Sequence, residues 1–290
     1  MILGLMLISF YLGCTPSVSE HHSLLEPIAH IEYDNSHLLS PILRKGYDVV
    51  LVPAGSFYMG CTSEQERDCY DDEIPPRHVT ISHDLYVMRS EVTQALYQQV
   101  MGRNPSRFQT CGTLCPVEGV SWYNAVRFAN RLSRRDGLTS CYRIGEHQEP
   151  EVEWRDKKCK GWRLLTEAEW EYAARGNQAY KYAGSNNLNE VGWYAANSQA
   201  KTHQICLKRI NGYGLCDMSG NVWEWVWDSW DVSANRRGKA TDPTFDRVGP
   251  DRVGRGGGWD FGARNARVSL RDWYFAASGF QGFRLARIAE

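Results

Sequence analysis

The chain has no excess of positive charge. Its 290 residues include 33 lysines and arginines against 34 aspartates and glutamates, which gives a formal net charge of -1. A protein that binds nucleic acid electrostatically needs surplus lysine and arginine to neutralise phosphates. The charge balance therefore argues against a nucleic-acid partner.

The sequence also lacks the spacings that are typical of zinc sites, because it contains neither C-x2-C nor H-E-x-x-H. Apart from Cys14, its cysteines form four pairs of close neighbours in sequence. Eight cysteines allow about 105 pairings, and closure within each close pair is the simplest of them. We therefore predict four disulfides: Cys61 to Cys69, Cys111 to Cys115, Cys141 to Cys159, and Cys206 to Cys216.

The apolar run at the N-terminus, MILGLMLISFYLG at residues 1–13, is too short to span a bilayer comfortably and stops at Cys14. A Gly-Cys junction after such a run resembles a lipobox, whose cysteine is lipidated and becomes the mature N-terminus. Residues 1–13 are therefore predicted as a lipoprotein-type signal peptide, and the polar segment 14–45 as a tether. This predicts an exported lipoprotein, anchored through lipid to a membrane of the bacterial cell envelope. A plain secretory signal or an N-terminal anchor is the alternative.

Short alternating patterns predict strands. Residues 49–60 read as two short strands around a Pro-Ala-Gly-Ser break, and residues 79–87 continue the period of two. Trp223, Trp225 and Trp227 also alternate, and at least one face of this group is predicted to lie in the core.

Three helices are predicted from their capping residues. Thr93, Ser121 and Thr166 each precede a helical period of apolar residues, and Thr166 forms a capping box with Glu169. Later segments are rich in Trp, Tyr, Gly and Asn without a long period, which predicts loops and short strands. Since no internal repeat and no second apolar core is visible, residues 46–290 are predicted as one domain.

Seven stretches, in the same order, resemble the formylglycine-generating enzyme, or sulfatase-modifying factor, domain family. They cover essentially all of residues 47–290, and together they are far more specific than any one alone. The resemblance implies a single α+β domain of the C-type-lectin-like superfamily, with low regular secondary structure and many loops. The stretches are VPAGSFYMG, EVTQALYQQVMGRNPS, PVEGVSWYNAVRFANRLS, WRLLTEAEWEYAARG, NGYGLCDMSGNVWEW, RVGRGGGW and GFRLAR.

The resemblance also implies a structural calcium ion at the GNVWEW stretch. In the family, the ion is held by a side chain, by two backbone carbonyls and by the Glu between the tryptophans. The corresponding residues here are Asp217, Gly220, Val222 and Glu224. Mixed carboxylate and carbonyl oxygens suit Ca²⁺. The alternative is that Glu224 only caps or salt-bridges a core loop.

A second calcium site of the family would use Asn197 and the carbonyl of Ser198. The acidic ligand that follows later in the family has no convincing counterpart in SQAKTHQICLKRI. This second site therefore stays in doubt.

In formylglycine-generating enzymes, the glycine motif continues G-G-S-aromatic-x-Cys-x4-Cys. The two thiolates bind Cu(I), which activates O₂ to oxidise a sulfatase cysteine, and soft thiolates are the ligands that Cu(I) demands. In RGGGWDFGARNA the cysteine positions are Phe261 and Ala266, and the serine position is Gly258. We therefore expect no copper and no catalytic residue at this motif.

A chain that has the motifs of the family but lacks its copper ligands favours a non-catalytic binding or assembly protein with a protein or glycan ligand. Aromatic and arginine enrichment is typical of recognition surfaces, although Arg267 and Arg271 have an equal interpretation as structural arginines. The alternatives are an oxidase with relocated cysteines and an enzyme of other chemistry. Family members that use non-haem iron take its ligands from an additional helical domain, for which this chain has no room. The candidate contact residues are Trp259, Asp260, Phe261, Arg264, Asn265, Arg267, Arg271, Trp273 and Tyr274.

Overall fold

Short strands make up much of the regular structure in the computed structural model, which describes residues 46–289 apart from 66–67, 148 and 248. The predicted signal peptide, Cys14 and the tether lie outside the described residues. The strands in the described part are β1 (Val49–Val52), β2 (Gly55–Met59), β3 (Arg77–Ile81), β4 (Leu85–Met88), β5 (Tyr142–Ile144), β6 (Val152–Trp154), β7 (Arg163–Leu164), β8 (Glu224–Ser229), β9 (Ala240–Thr241), β10 (Asp251–Arg255), β11 (Arg271–Phe275), β12 (Gly282–Phe283) and β13 (Leu285–Ile288).

The helices begin at the caps that the sequence predicts. The side chains of Thr93, Ser121 and Thr166 accept hydrogen bonds from the backbone N–H three residues later, and Thr166 and Glu169 complete the capping box. The four α-helices of the described residues are α1 (Gln94–Met101), α2 (Trp122–Arg135), α3 (Glu167–Arg175) and the short α4 (Leu188–Val191).

The strands form small sheets with mostly antiparallel pairing. One sheet has the order β1-β4-β13-β7 and a second the order β11-β10-β8-β12, while β2-β3-β9 and β5-β6 form smaller ones. The two strands predicted in residues 49–60 exist, but β1 pairs with β4 and β2 with β3, so they belong to different sheets. The architecture is the predicted α+β domain with modest regular structure and many loops.

Tryptophans occupy the centre of the core. Trp223, Trp225 and Trp227 are all buried, as predicted for this group. The buried indole N–H groups need acceptors: that of Trp122 donates to the Val226 carbonyl at 2.8 Å, and that of Trp225 donates to the Val120 carbonyl at 2.7 Å. These two bonds tie the N-terminus of α2 to β8.

The four predicted disulfides are present: Cys61 to Cys69, Cys111 to Cys115, Cys141 to Cys159, and Cys206 to Cys216. Disulfides persist in oxidising compartments, which supports export of the chain. In the part of the chain that the structure describes, none of the helices is long and apolar enough to cross a membrane.

Helix α3 is buried along its whole length, so its charged side chains need partners inside the protein. The three glutamates lie at alternate positions, and each meets a buried arginine from another part of the chain. Glu167 pairs with Arg271 of β11 at 2.7 Å, Glu169 with Arg163 of β7 at 2.6 Å, and Glu171 with Arg255 of β10 at 2.6 Å. The helix therefore fixes strands from both four-stranded sheets.

Replacing Glu171 with Gln should lower the free energy of unfolding by about 3 kcal/mol, because it removes the carboxylate that pairs with two buried guanidinium groups, those of Arg255 and Arg175. The matched control is Glu153→Gln, which breaks the exposed Arg143–Glu153 pair, whose side chains are 67% and 50% exposed; it should cost at most about 1 kcal/mol. Urea unfolding followed by tryptophan fluorescence measures both. Equal losses would contradict a structural role for the buried pair.

Candidate functional site

The glycines after β10 shape the base of the predicted recognition surface. Gly256 and Gly257 have φ values of +91° and +78°, a region that favours glycine. A Cβ atom at Gly257 would lie 2.9 Å from the Asn265 carbonyl oxygen, and one at Gly256 would lie 3.1 Å from the ring of Trp170. The glycines therefore allow the following loop to fold back closely onto α3.

Residues 259–265 and 272–275 form what we call the C-terminal loop surface. The ring of Trp259 is partly buried against the edge of Phe108, with 5.0 Å between ring centroids. The Arg264 guanidinium lies 3.7 Å from the ring centre of Tyr70 and donates to the Asp68 carbonyl at 2.8 Å. Loop 259–265 is thus fixed against the segment next to the Cys61–Cys69 disulfide.

Strand β11 presents aromatic rings to solvent. Trp273 and Phe275 alternate along one face, are 45% and 57% exposed, and contact each other edge to face. Tyr274 points to the other face and packs on Trp223 and Trp225. Phe280 is 83% exposed and was not among the predicted contact residues. Nothing in the sequence pattern distinguishes Phe280, because it lies in an irregular turn outside β11.

A cavity of about 570 Å³ opens beside this surface. Its walls include Tyr70, Trp230 and Trp273, and the carboxylates of Asp72 and Asp272. Burial raises the pKa of both carboxyl groups. The cavity combines aromatic and acidic groups, which gives the surface a concave contact region.

Two predicted contact residues belong to the scaffold instead. Arg267 is fully buried and donates to both carboxylate oxygens of Glu73 at 2.7 Å. Arg271 donates in the same bidentate way to Glu167. Of the two interpretations that the sequence allowed for these arginines, the structure supports the structural one. Both guanidinium groups are buried and already have partners, although Arg271 also lines the cavity described above.

Carbon side chains occupy the two positions where the copper enzymes have cysteines. The ring of Phe261 packs edge-on against Trp223, with 5.4 Å between ring centroids. Ala266 is buried in a small apolar cluster with Tyr182 and Leu188. The eight cysteines of the described residues are all in disulfides, so none of them offers a thiolate here.

The predicted calcium loop contains oxygen atoms that are available as metal ligands. Among the described residues, Asp217 Oδ1 is buried without a hydrogen-bond donor, and the carbonyls of Gly220 and Val222 accept no hydrogen bond from a loop backbone or a side chain. Glu224 binds the Arg284 guanidinium with both oxygens, at 2.6 and 2.7 Å, and its Oε2 also accepts from the indole of Trp170. A carboxylate has about four acceptor sites, so Glu224 retains one.

The charge around this loop also fits a divalent cation. Glu91 is 1% exposed, and its carboxylate oxygens have no hydrogen-bond partner in the described part of the chain. Burial raises the pKa of Glu91 well above its usual range, and the charges of Asp217 and Glu224 add to the shift. Burial raises the pKa of Asp217 to about 6. Three buried carboxylates thus face one guanidinium, that of Arg284, and the ammonium of Lys208 acts on Asp217 as well. Calcium would supply the further positive charge that they lack.

Other candidate metal ligands are already engaged. The carbonyl of Ser198 contacts His203 Nε2 at 2.7 Å, while the Asn197 side chain bonds the Tyr194 N–H and the Gly192 carbonyl. These are the groups that the second calcium site would need, and each of the two oxygens keeps a second lone pair. A separate group of Cys206, Cys216 and Asp217 lies close together, but its two sulfur atoms form a disulfide.

Comparisons with known proteins agree on the fold. The sequence model of the family described as "Sulfatase-modifying factor enzyme 1-like domain" matches residues 36–289. Chaperone protein LppX of Paenibacillus barcinonensis is 33% identical over 274 residues, which cover 83% of this chain and 89% of that protein. Formylglycine-generating enzyme of Mus musculus is 30% identical over 252 residues, 73% of this chain and 66% of the enzyme. Among solved structures, Treponema denticola variable protein 1 has a TM-score of 0.75 at 33% identity, over 84% of this chain and 95% of that one.

Calcium should raise the melting temperature of the domain relative to a chelator, because an ion that binds only the folded state stabilises it. At a calcium concentration of about one hundred times Kd the gain is about 2.7 kcal/mol. Asp217→Asn should abolish the difference between calcium and chelator, whereas Asp260→Asn, an exposed control, should retain it. Differential scanning calorimetry measures the shift. Identical melting curves of the unmodified protein in calcium and chelator would show that the loop is held by ion pairs alone.

Proposed function

Because the chain belongs to the sulfatase-modifying factor domain family, we propose that it is a non-catalytic binding or assembly protein of the bacterial cell envelope. Its C-terminal loop surface recognises a protein or glycan partner. The observation that carries the proposal is the packing of Phe261 and Ala266, which fills the family's copper positions with carbon side chains. Cu(I) bound by two thiolates has no counterpart at this place.

The exposed aromatic residues support recognition as the role of this surface. Trp273 and Phe275 present large rings to solvent, and contact energies at interfaces concentrate on such residues. The adjoining cavity of about 570 Å³ provides a concave region beside Trp273. The glycines and the buried arginines hold these rings on a rigid base, which lowers the entropy cost of binding.

One relative supports an assembly role, and another supports a catalytic alternative. The relative named a chaperone protein matches over more of its length than the mouse formylglycine-generating enzyme does, 89% against 66%. The similarity to that enzyme is the reason to retain a formylglycine-generating oxidase as the second candidate function. An oxidase here would need a thiolate pair elsewhere, whereas the described cysteines are in disulfides.

Trp273→Ala should weaken capture of the partner by at least about tenfold, because an aromatic residue at an interface commonly contributes 2 kcal/mol or more. The control is Tyr58→Ala, since Tyr58 of β2 is equally aromatic and 59% exposed but lies outside the C-terminal loop surface. The unmodified domain and both variants are used to capture proteins and glycans from solubilised envelope, and the captured species are compared by mass spectrometry.

Equal capture by the two variants would contradict the proposed surface. The non-catalytic part of the proposal would be contradicted if the unmodified protein formed formylglycine in a Cys-x-Pro-x-Arg peptide. The reaction is run under air with a thiol reductant and compared with a no-enzyme control. That outcome would establish the oxidase.

We also propose that Cys14 carries the lipid that anchors the chain. Cys14→Ala should move the protein from the membrane fraction to the soluble fraction, because the acyl chains would be lost and the described domain provides no spanning helix. Cell fractionation with immunodetection measures the distribution, and Cys14→Ser serves as a second variant. Unchanged membrane association would indicate an uncleaved apolar anchor instead.

A further inference from the structure

A second cavity, of about 420 Å³, shares no residue with the C-terminal loop surface. Its walls come from the β3–β4 turn, from the segment after β6, from the start of α3 and from the segment after β9. Its volume is within the range of small-molecule sites. Its lining includes the charged and aromatic residues Trp154, Lys157, Lys158, Arg163, Glu169 and Asp242.

The two carboxylates in the cavity wall already accept hydrogen bonds. Glu169 accepts two hydrogen bonds from Arg163, at 2.6 and 2.7 Å, and one from the Thr166 N–H at 2.8 Å. Asp242 accepts from both the backbone N–H and the hydroxyl of Ser82, which are neutral donors, so it keeps its charge. The lining still has more cations than carboxylates: Lys157, Lys158, Lys160 and Arg163 against Glu169 and Asp242.

The positive charges have fewer partners. Among the described residues, Lys157 and Lys158 form no ion pair with a carboxylate. The Lys157 ammonium instead lies 3.9 Å from the ring centre of Trp154. An ammonium over an aromatic ring keeps hydrogen-bond donors free for a further acceptor.

Two buried donors of the lining residues also lack an acceptor in the described part of the chain. They are the indole N–H of Trp154 and the Nε–H of Arg163, which belongs to a fully buried side chain. A buried donor without an acceptor costs free energy. These two N–H groups are shielded from solvent within the wall, so a ligand in the cavity meets the ammonium groups of Lys157 and Lys158.

We propose that this cavity binds the phosphate group of a small organic phosphate or of a phospholipid headgroup. Phosphate supplies several acceptor oxygens and up to two negative charges, which match Lys157 and Lys158. The walls of Trp154 and Ile288 contact the organic part. This site is independent of the proposed recognition of a partner through the C-terminal loop surface.

The test is a titration with glucose 6-phosphate, and with glucose as the neutral control, followed by the indole N–H resonance of Trp154. Glucose 6-phosphate should shift this resonance to saturation, with an affinity that falls as salt rises, and glucose should not. Lys157→Gln should weaken binding about tenfold, because one charge-assisted hydrogen bond is lost. Lys201→Gln removes the same charge at an exposed position outside the cavity and should leave the Kd unchanged.

Vesicles distinguish the two sources of phosphate. A lipid headgroup is identified if the protein binds phosphatidylglycerol vesicles but not phosphatidylcholine vesicles, and if Lys157→Gln loses this binding. A soluble ligand is identified if the protein binds glucose 6-phosphate alone. If Lys157→Gln does not fold, Lys158→Gln replaces it in both arms. The proposal is overturned if neither probe binds, if glucose binds as tightly as glucose 6-phosphate, or if the folded lysine variant binds like the unmodified protein.

Discussion

Burial of helix α3 on every side forces its three glutamates to find cations inside the protein. A buried carboxylate without a partner costs several kcal/mol, so each pair fixes the position of the segment that supplies its arginine. Glu167, Glu169 and Glu171 reach strands β11, β7 and β10. One helix of nine residues therefore determines where three strands from two sheets lie. The small sheets could not do this alone, because several have strands of only two residues.

The same pairs explain how an irregular surface can be held in one conformation. Arg255 ends β10 immediately before the glycines, and Arg271 begins β11 a few residues after loop 259–265. Both are fixed by α3, while Arg267, just after the loop, is fixed by Glu73. The C-terminal loop surface is thus anchored on both sides of its loop by buried ion pairs. The residues exposed on it, such as Asp260 and Trp273, take no part in these pairs, so they are free for contact with a partner.

Much of the fold could be predicted because its signals are local. The caps at Thr93, Ser121 and Thr166 depend on residues three positions away, and each disulfide closes a segment between near neighbours. The buried ion pairs could not be predicted in this way. Glu73 and Arg267 are far apart in sequence, and arginine is usually a surface residue. For Arg267 and Arg271 the sequence therefore allows both a contact role and a structural role, while the exposure of Phe280 and the burial of Glu91 have no local signal.

Helix α3 also links two cavities of different chemistry. Glu167 holds Arg271, which lines the aromatic and acidic cavity beside the C-terminal loop surface. Two residues further along the helix, Glu169 holds Arg163 in the wall of the cavity that contains Lys157 and Lys158. Glu167 neutralises Arg271, and Arg163 neutralises Glu169, so neither ion pair adds net charge to its cavity. The first cavity keeps the charge of its aspartates, and the second keeps an excess of lysines. The ion pairs that stabilise the helix therefore leave the two sites with opposite charge.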